Sequence, residues 1–274
     1  MELLTRGLDQ RRLDTFFDSD GTTVRASPIQ TQYVVDEKNL KASYYLNWSL
    51  GWEQKLPNAF YLRMNFIRKR GYNGWSYDFM TGPTGSHVVD GTFRLGNLRR
   101  DKYSYLELTL TRSFKDKYPW LLSYARSSAR SSAVVDFSLD NPMFGLQGGG
   151  PLDWDTPNRL ISWGSFPLCS TKYTLAYFME WRSGLPFSVV NESQQFVGAL
   201  NSRRFPDYLS MNVHIERRFR FLRYEWAFRA GFNNIMGRRN PMVVDNNIDS
   251  TTFGRFSGGQ DRAFTGRIRF LGKS

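Results

Sequence analysis

The chain has 274 residues, 16% of them aromatic, and its 37 Lys and Arg against 25 Asp and Glu give a net charge of +12. That length holds one large β domain or two ordinary ones. No run of 18 apolar residues occurs, which excludes a transmembrane helix but not a membrane barrel, whose lipid-facing and lumen-facing residues alternate and cancel in any sliding average.

The positive balance raises nucleic acid as a partner. Its cations, however, are scattered through turns as Arg99-Arg100, Arg217-Arg218 and Arg238-Arg239 rather than gathered on one helix or strand face, so no nucleic-acid partner is expected. The single cysteine, Cys169, has no Cys for a disulfide or a metal site. The opening MELLTRGLDQRRLDTFF mixes charges with no apolar core or small-residue cleavage site, which is not the pattern of a signal peptide.

Residues 1–40 read as an irregular leading loop, with a marginal strand near 22–35. Regular alternation begins at Lys41. Tyr44, Leu46, Trp48, Leu50 and Trp52 form an apolar stripe of period two, the mark of a strand; the turn LPN at 56–58 ends it. Phe60, Leu62, Met64 and Phe66 begin a second strand. The segment 71–101, rich in Gly, Asp and aromatics, reads as a long connection. A third strand carries Leu106, Leu108 and Leu110, a short turn DKYP follows at 116–119, and Trp120, Leu122 and Tyr124 mark a fourth strand.

A second long connection spans 128–157. Strands five and six follow at 159–166 and 172–182, the latter with Tyr173, Leu175, Tyr177, Met179 and Trp181 on one face, joined by a short turn near 168–171. After a third long connection, 183–206, the stretch 208–235 holds two stripes around a short basic turn: Leu209, Met211, Val213 and Ile215, then Tyr224, Trp226, Phe228, Ala230 and Phe232. A fourth long connection, 236–260, precedes a last strand at 261–270.

Short and long connections alternate through about nine to ten strands. Soluble sandwiches and propellers give no reason for that alternation, whereas outer-membrane barrels have short periplasmic turns and long extracellular loops. Aromatics agree. Trp52, Phe60, Phe114, Trp120, Tyr173, Tyr224 and Phe270 fall beside the short turns, and Tyr44, Trp181 and Phe232 toward the long loops, as the two girdles of a membrane barrel do. The expected fold is therefore all-β, an antiparallel up-and-down transmembrane β-barrel portion occupying 41–274.

On their strands, Arg63, Glu180, Arg182, Glu225, Arg229, Arg267 and Arg269 alternate with the apolar residues, which predicts a charged lumen wall able to hold a plug or guide a ligand. Trp75, Tyr77 and Phe79 in the first long connection, and Phe144 and Trp154 in the second, are candidates for ligand contact from outside. No catalytic residue, cofactor or metal site is expected. His87 and His214 lack metal-ligand spacing, no G-x-S-x-G turn occurs, and the glycines at 148–150 and 258–259 do not link a strand to a helix as a phosphate loop does.

Four stretches carry a family likeness. PLDWDTPNRLISWGSFPL at 151–168 and WRSGLPFSVV at 181–190 resemble a loop with its descending strand and a strand exit. FRAGFNNIMGRRNPM at 228–242 and FGRFSGGQDRAFTGRIRF at 253–270 resemble the penultimate strand with its Asn-rich exit loop, then the final loop and closing strand. Together they resemble the C-terminal barrel half of the TonB-dependent receptors of bacterial outer membranes. The resemblance implies a 22-stranded barrel with a plugged lumen, uptake of a scarce ligand such as an iron chelate, cobalamin or an oligosaccharide, and an energy-transducing complex of the TonB type as partner.

At roughly 25 residues per strand and loop, 22 strands need on the order of 550 residues. The chain is thus expected to be a fragment whose partners are outer-membrane lipid, the plug and the remaining barrel strands. Two other readings stay open: a passive porin-like or adhesive barrel, and a soluble basic β protein binding nucleic acid or glycan.

Overall fold

A computed structural model describes residues 10–15, 17–24, 29–35, 38–81, 91–114, 117–133, 149–168, 170–192 and 196–273. Among them there is no α-helix and one three-residue 3-10 turn, 57–59. Nine strands of 10 to 24 residues form one continuous wall: β3 (Tyr44–Leu56), β4 (Phe60–Thr81), β5 (Gly91–Phe114), β6 (Tyr118–Ser131), β7 (Asn158–Leu168), β8 (Ser170–Arg182), β11 (Tyr208–Phe221), β12 (Tyr224–Asn233) and β15 (Ala263–Lys273). Each pairs antiparallel with its neighbour in that order. The all-β, up-and-down architecture is the one the alternating stripes predict.

Register carries the stripes across the wall. Trp52 pairs with Met64, Met64 with Leu108, Leu108 with Tyr124 and Tyr124 with Leu160. Farther along, Leu160 pairs with Trp181, Trp181 with Leu209, Val213 with Phe232 and Phe232 with Phe264. Paired residues share a face, so these side chains make one apolar face, and Trp48, Leu50, Phe264 and Ile268 stand more than three-fifths exposed on it. The other face is polar on most strands. A folded protein in water does not spread that much apolar surface, whereas a barrel wall in lipid does.

The ends of the apolar face are aromatic. Beside the short turns, Phe60 meets Trp120 at 6.3 Å, Phe114 meets Phe166 at 5.6 Å, and Phe270 meets both Tyr224 and Trp226 at 5.3 Å. Some polar atoms at this level bond one another, as a low-dielectric surround favours: Trp120 Nε1 donates to Tyr177 Oη at 2.8 Å, and Tyr177 Oη and Ser162 Oγ share a hydrogen bond of 2.8 Å. The Arg112 guanidinium lies over the rings of Phe60 and Phe114, 4.8 and 4.5 Å from their centroids.

One sequence expectation changes, and the expected strand near 22–35 gains a partner. The segment 71–101 is not a loop. β4 runs on to Thr81 and β5 starts at Gly91, pairing well above the apolar belt. Register breaks between Gly71 and Gly74 and again between Gly74 and Ser76 shift the alternation, and this hid the strands from a period-two reading. Within residues 1–40, the described parts include β1 (Gln10–Asp14) and β2 (Ile29–Val35), an antiparallel pair. β2 also runs parallel to β5, Thr31 opposite Gly91 through Val35 opposite Leu95. Beside that overhang Leu40, Ser76, Phe93 and Leu95 are buried.

The connections keep the predicted alternation. Three-residue or shorter turns close the β3/β4, β7/β8 and β11/β12 pairs, while the connections 183–207 and 234–262 are long. Each long segment forms its own short strand pair, β9 (Pro186–Phe187) with β10 (Arg203–Arg204) and β13 (Val243–Val244) with β14 (Phe256–Ser257).

Candidate functional site

The seven predicted charges fall on one face. Arg63 pairs in register with Glu53 and Thr109, Glu180 with Ile161 and Ser210, Arg182 with Arg159 and Tyr208, Glu225 with Arg220, Arg229 with Glu216 and Arg267, and Arg269 with Ala227. All lie opposite the apolar face, because each sits one residue from a stripe residue on its strand.

Five of the seven, Arg63, Glu180, Arg182, Glu225 and Arg269, take part in ion pairs. Arg63 Nε meets Glu53 Oε1 at 3.0 Å, Arg159 Nε meets Glu180 Oε1 at 2.9 Å, and Arg220 Nε meets Glu225 Oε1 at 3.4 Å. Arg269 bonds Glu216, which also takes Arg218 at 3.4 Å. Arg182 is 3.9 Å from Glu180, and its guanidinium rests over the Tyr208 ring at 4.7 Å. Arg229 and Arg267 lie side by side in register, and His214 Nε2 bonds Thr265 Oγ1 at 3.0 Å one row away.

Two features of this face were not read from the sequence. Glu107 accepts from Ser123 Oγ at 2.8 Å and from Asn65 Nδ2 at 3.3 Å. Leu121, Trp163 and Phe178 meet in register on β6, β7 and β8, an apolar island within the polar face. Trp163 and Phe178 fall between the larger stripe residues of strands 159–166 and 172–182, which drew attention to the other face.

Above Glu180 and Arg182 opens a cavity of roughly 400 Å³. Its floor is Glu180, Arg182 and Tyr208; one wall is Gly184, Leu185, Phe205 and Pro206, and the other Asn240, Pro241, Met242 and Gln260. The two long segments thus meet over the polar face, with a charged floor and mainly apolar sides. That composition suits an organic ligand with a few polar groups.

Loop asparagines and one aspartate hold the walls. Asp155, 4% exposed, accepts the Ala129 N–H at 2.6 Å and bonds Arg204, whose Nη1 also reaches the carbonyls of Asp155 and Gly184 at 2.9 and 3.1 Å. Asn240 takes over as strand partner of β11: its Oδ1 accepts the Leu209 N–H at 3.0 Å and its Nδ2 donates to the Leu209 carbonyl at 3.1 Å. Asn234, at φ 48°, donates from Nδ2 to the carbonyls of Arg238 and Gln260 at 2.9 and 2.8 Å. Phe187, Phe205 and Phe256 pack at 5.3 to 6.2 Å, and the Val190 N–H donates to the Asn246 carbonyl at 3.0 Å. In sequence these residues look like ordinary polar loop composition.

The aromatic candidates separate. Trp75, Tyr77 and Phe79 lie on β4 rather than in a loop. Trp75 is anchored, donating Nε1 to the Lys41 carbonyl at 3.2 Å, and Tyr77 is half-buried. Trp154 is exposed in the segment before β7 and stands 5.6 Å from Tyr103. Phe144 lies outside the described residues.

A wall with one apolar and one polar face, aromatic ends and alternating connections has the architecture of an outer-membrane barrel wall. Solved structures of that kind are similar to this chain. The outer membrane transporter YddB from Escherichia coli superposes with a TM-score of 0.59 at 12% identity, over 87% of this chain and 34% of that one. FpvA of P. aeruginosa, bound to a heterologous pyoverdine with iron, gives 0.56 at 11% over 95% and 30%. FpvAI in complex with pyocin S2 gives 0.54 at 13%, again over 95% and 30%. These neighbours are transporters and receptors of the TonB-dependent barrel fold, and the likeness is one of fold. The chain spans about a third of their length. No family model matches it, and no curated protein sequence does.

Proposed function

We propose that this chain is the C-terminal barrel portion of a TonB-dependent outer-membrane receptor that takes up a scarce ligand. The observation that carries the reading is the pair of open edges: among the described residues β3 pairs only with β4, and β15 only with β12. In lipid each unpaired backbone group costs several kcal/mol, so a nine-strand wall with an apolar face belongs in a larger closed barrel. The neighbours, of which it matches 30–34%, support that arrangement.

In this role the apolar face meets outer-membrane lipid and the polar face lines the lumen. Arg63, Glu180, Arg182, Glu225, Arg229, Arg267 and Arg269 then project toward a plug carried by the rest of the receptor, and the TonB-type complex acts through that part. The cavity over Glu180, Arg182 and Tyr208 is the ligand-facing mouth. Its charged floor and apolar walls favour an iron chelate among the ligand classes above, and the iron-loaded pyoverdine held by FpvA points the same way.

Fractionating the parent cells and detecting this polypeptide with an antibody to 234–262 tests the proposal. The expected result is recovery from the outer membrane, in one assembly with further strands. Recovery from the soluble fraction, or as a closed nine-strand species, overturns it.

A further inference from the structure

The apolar face is not free of cations: near the short turns Arg112 and Arg217 rest on aromatic rings, and a second group stands at the opposite rim. On β4, β5 and β6, directly above the belt and on the long-connection side, Arg70 stands opposite Lys102 and Lys102 opposite Arg130. Arg68 is two residues below Arg70 on the same face, and Arg126 lies beside Leu106 in the top row of the belt. All five cations are exposed. None has a side-chain ion pair or hydrogen bond among the described residues, and Glu53, Asp101 and Glu107, the acidic residues of β3 to β6 outside the bulged overhang, all register on the other face.

Like charges directly opposite on paired strands stand about 5 Å apart and destabilise the sheet. Three in one row, on a face turned away from the ion pairs of the polar side, ask for an external anion. The surface beneath them specifies its form. Leu50, Phe66, Leu106 and Leu108 are 62, 38, 39 and 42% exposed on the same face, so a binder placing its anion on the cations lays its other end on bare hydrocarbon. One phosphodiester offers a single negative charge to five cations; a headgroup with more than one phosphate fits better.

We propose that Arg68, Arg70, Lys102, Arg126 and Arg130 form a site for the polyphosphorylated headgroup of a membrane lipid in the leaflet on the long-connection side, with its acyl chains on Leu50, Phe66, Leu106 and Leu108. The proposal rests on the membrane-barrel reading above. It assigns the exposed cations of this rim a specific occupant rather than a general affinity for anions.

The test is native mass spectrometry of the protein extracted from outer membranes in neutral detergent, titrated with bis-phosphorylated lipid A. Arms with the dephosphorylated lipid and with inorganic phosphate alone accompany it. Tight retention of lipid A is expected, at least ten-fold weaker for Arg70→Gln/Lys102→Gln/Arg130→Gln and for the dephosphorylated lipid, and unchanged for Arg239→Gln/Arg255→Gln, which removes two cations elsewhere. Equal retention by the triple variant, or displacement of the lipid by millimolar inorganic phosphate, overturns the inference while leaving the barrel standing. Failure of the barrel reading shows itself separately, as protein recovered from the soluble fraction.

Discussion

The guanidinium of Arg204 bonds the carboxylate of Asp155, tying the segment 183–207 to the segment that leads into β7. Asp155 is buried and also takes the Ala129 N–H, so its charge is compensated from two sides. Removing Arg204 leaves a buried carboxylate without its cation, at roughly 2–3 kcal/mol. Arg204→Ala is expected to raise hydrogen exchange and protease cleavage between residues 183 and 207, and Asp155→Asn, which keeps an acceptor for Ala129, to do so less. Equal protection in both variants and the parent would dismiss this pair as an organiser of the mouth.

Asn234 serves its loop through backbone conformation and side chain together. Its φ of 48° is costly for most L residues, and its amide closes two carbonyls. Asn234→Ala is expected to cost roughly 2–3 kcal/mol, and Asn234→Gly about 1 kcal/mol less because glycine tolerates the conformation. Thermal unfolding of the detergent-extracted protein gives the order; alanine equal to glycine would mean that the backbone conformation carries no cost.

The turn between β11 and β12 runs against its own residues. Leu222 and Arg223 have φ of 49° and 69°, positive at both central positions as in the type I′ hairpin turns that favour Asn-Gly, and Leu222 is 73% exposed. Replacing the pair by Asn-Gly therefore removes strain without removing packing. A gain of about 1–2 kcal/mol is expected, visible as a higher unfolding temperature.

Sequence periodicity disclosed the parts of the fold where one stripe runs unbroken, as in β3, β8, β11 and β12. It failed where register breaks: the bulges around Gly74 moved Trp75 and Tyr77 from an expected loop onto a strand. The polar-face charges were legible as well, since a charge between two stripe residues can point only one way. The row Arg70, Lys102, Arg130 was not legible, because three residues 28 to 60 positions apart become neighbours only through pairing. The organising asparagines stayed hidden for another reason: a buried Asn bonding two carbonyls and an idle loop Asn are the same letter.

Asp245 makes the pH response of the last long segment predictable. Hydrogen bonds from Ser250 first, then Thr252, hold its carboxyl below the ordinary 3.8. A depressed folded pKa stabilises above the unfolded value and is lost as pH falls through the folded one. The turn 245–254 is therefore expected to keep its order at neutral pH and lose it only below pH 3.8, and Ser250→Ala to move that loss upward. Carboxyl titration by NMR on selectively labelled protein reads both; an Asp245 titrating at or above 3.8 in the parent would defeat the assignment.

The face assignment itself can be set against a soluble alternative with two substitutions on one strand. Leu108 sits within the apolar belt, between Met64 and Tyr124 in register, and is 42% exposed; Thr111 lies on the polar face between Tyr61 and Leu121. In water an arginine at Leu108 extends into solvent at little cost. In a bilayer the same arginine enters hydrocarbon and costs roughly 2–4 kcal/mol near the midplane, while a lumen-facing one is tolerated. Leu108→Arg is therefore expected to cut the yield of folded protein in the outer membrane sharply, and Thr111→Arg to leave most of it. If the two substitutions are tolerated alike, the apolar face does not meet lipid, because burial in a bilayer is what makes one side of β5 forbidden to a charge.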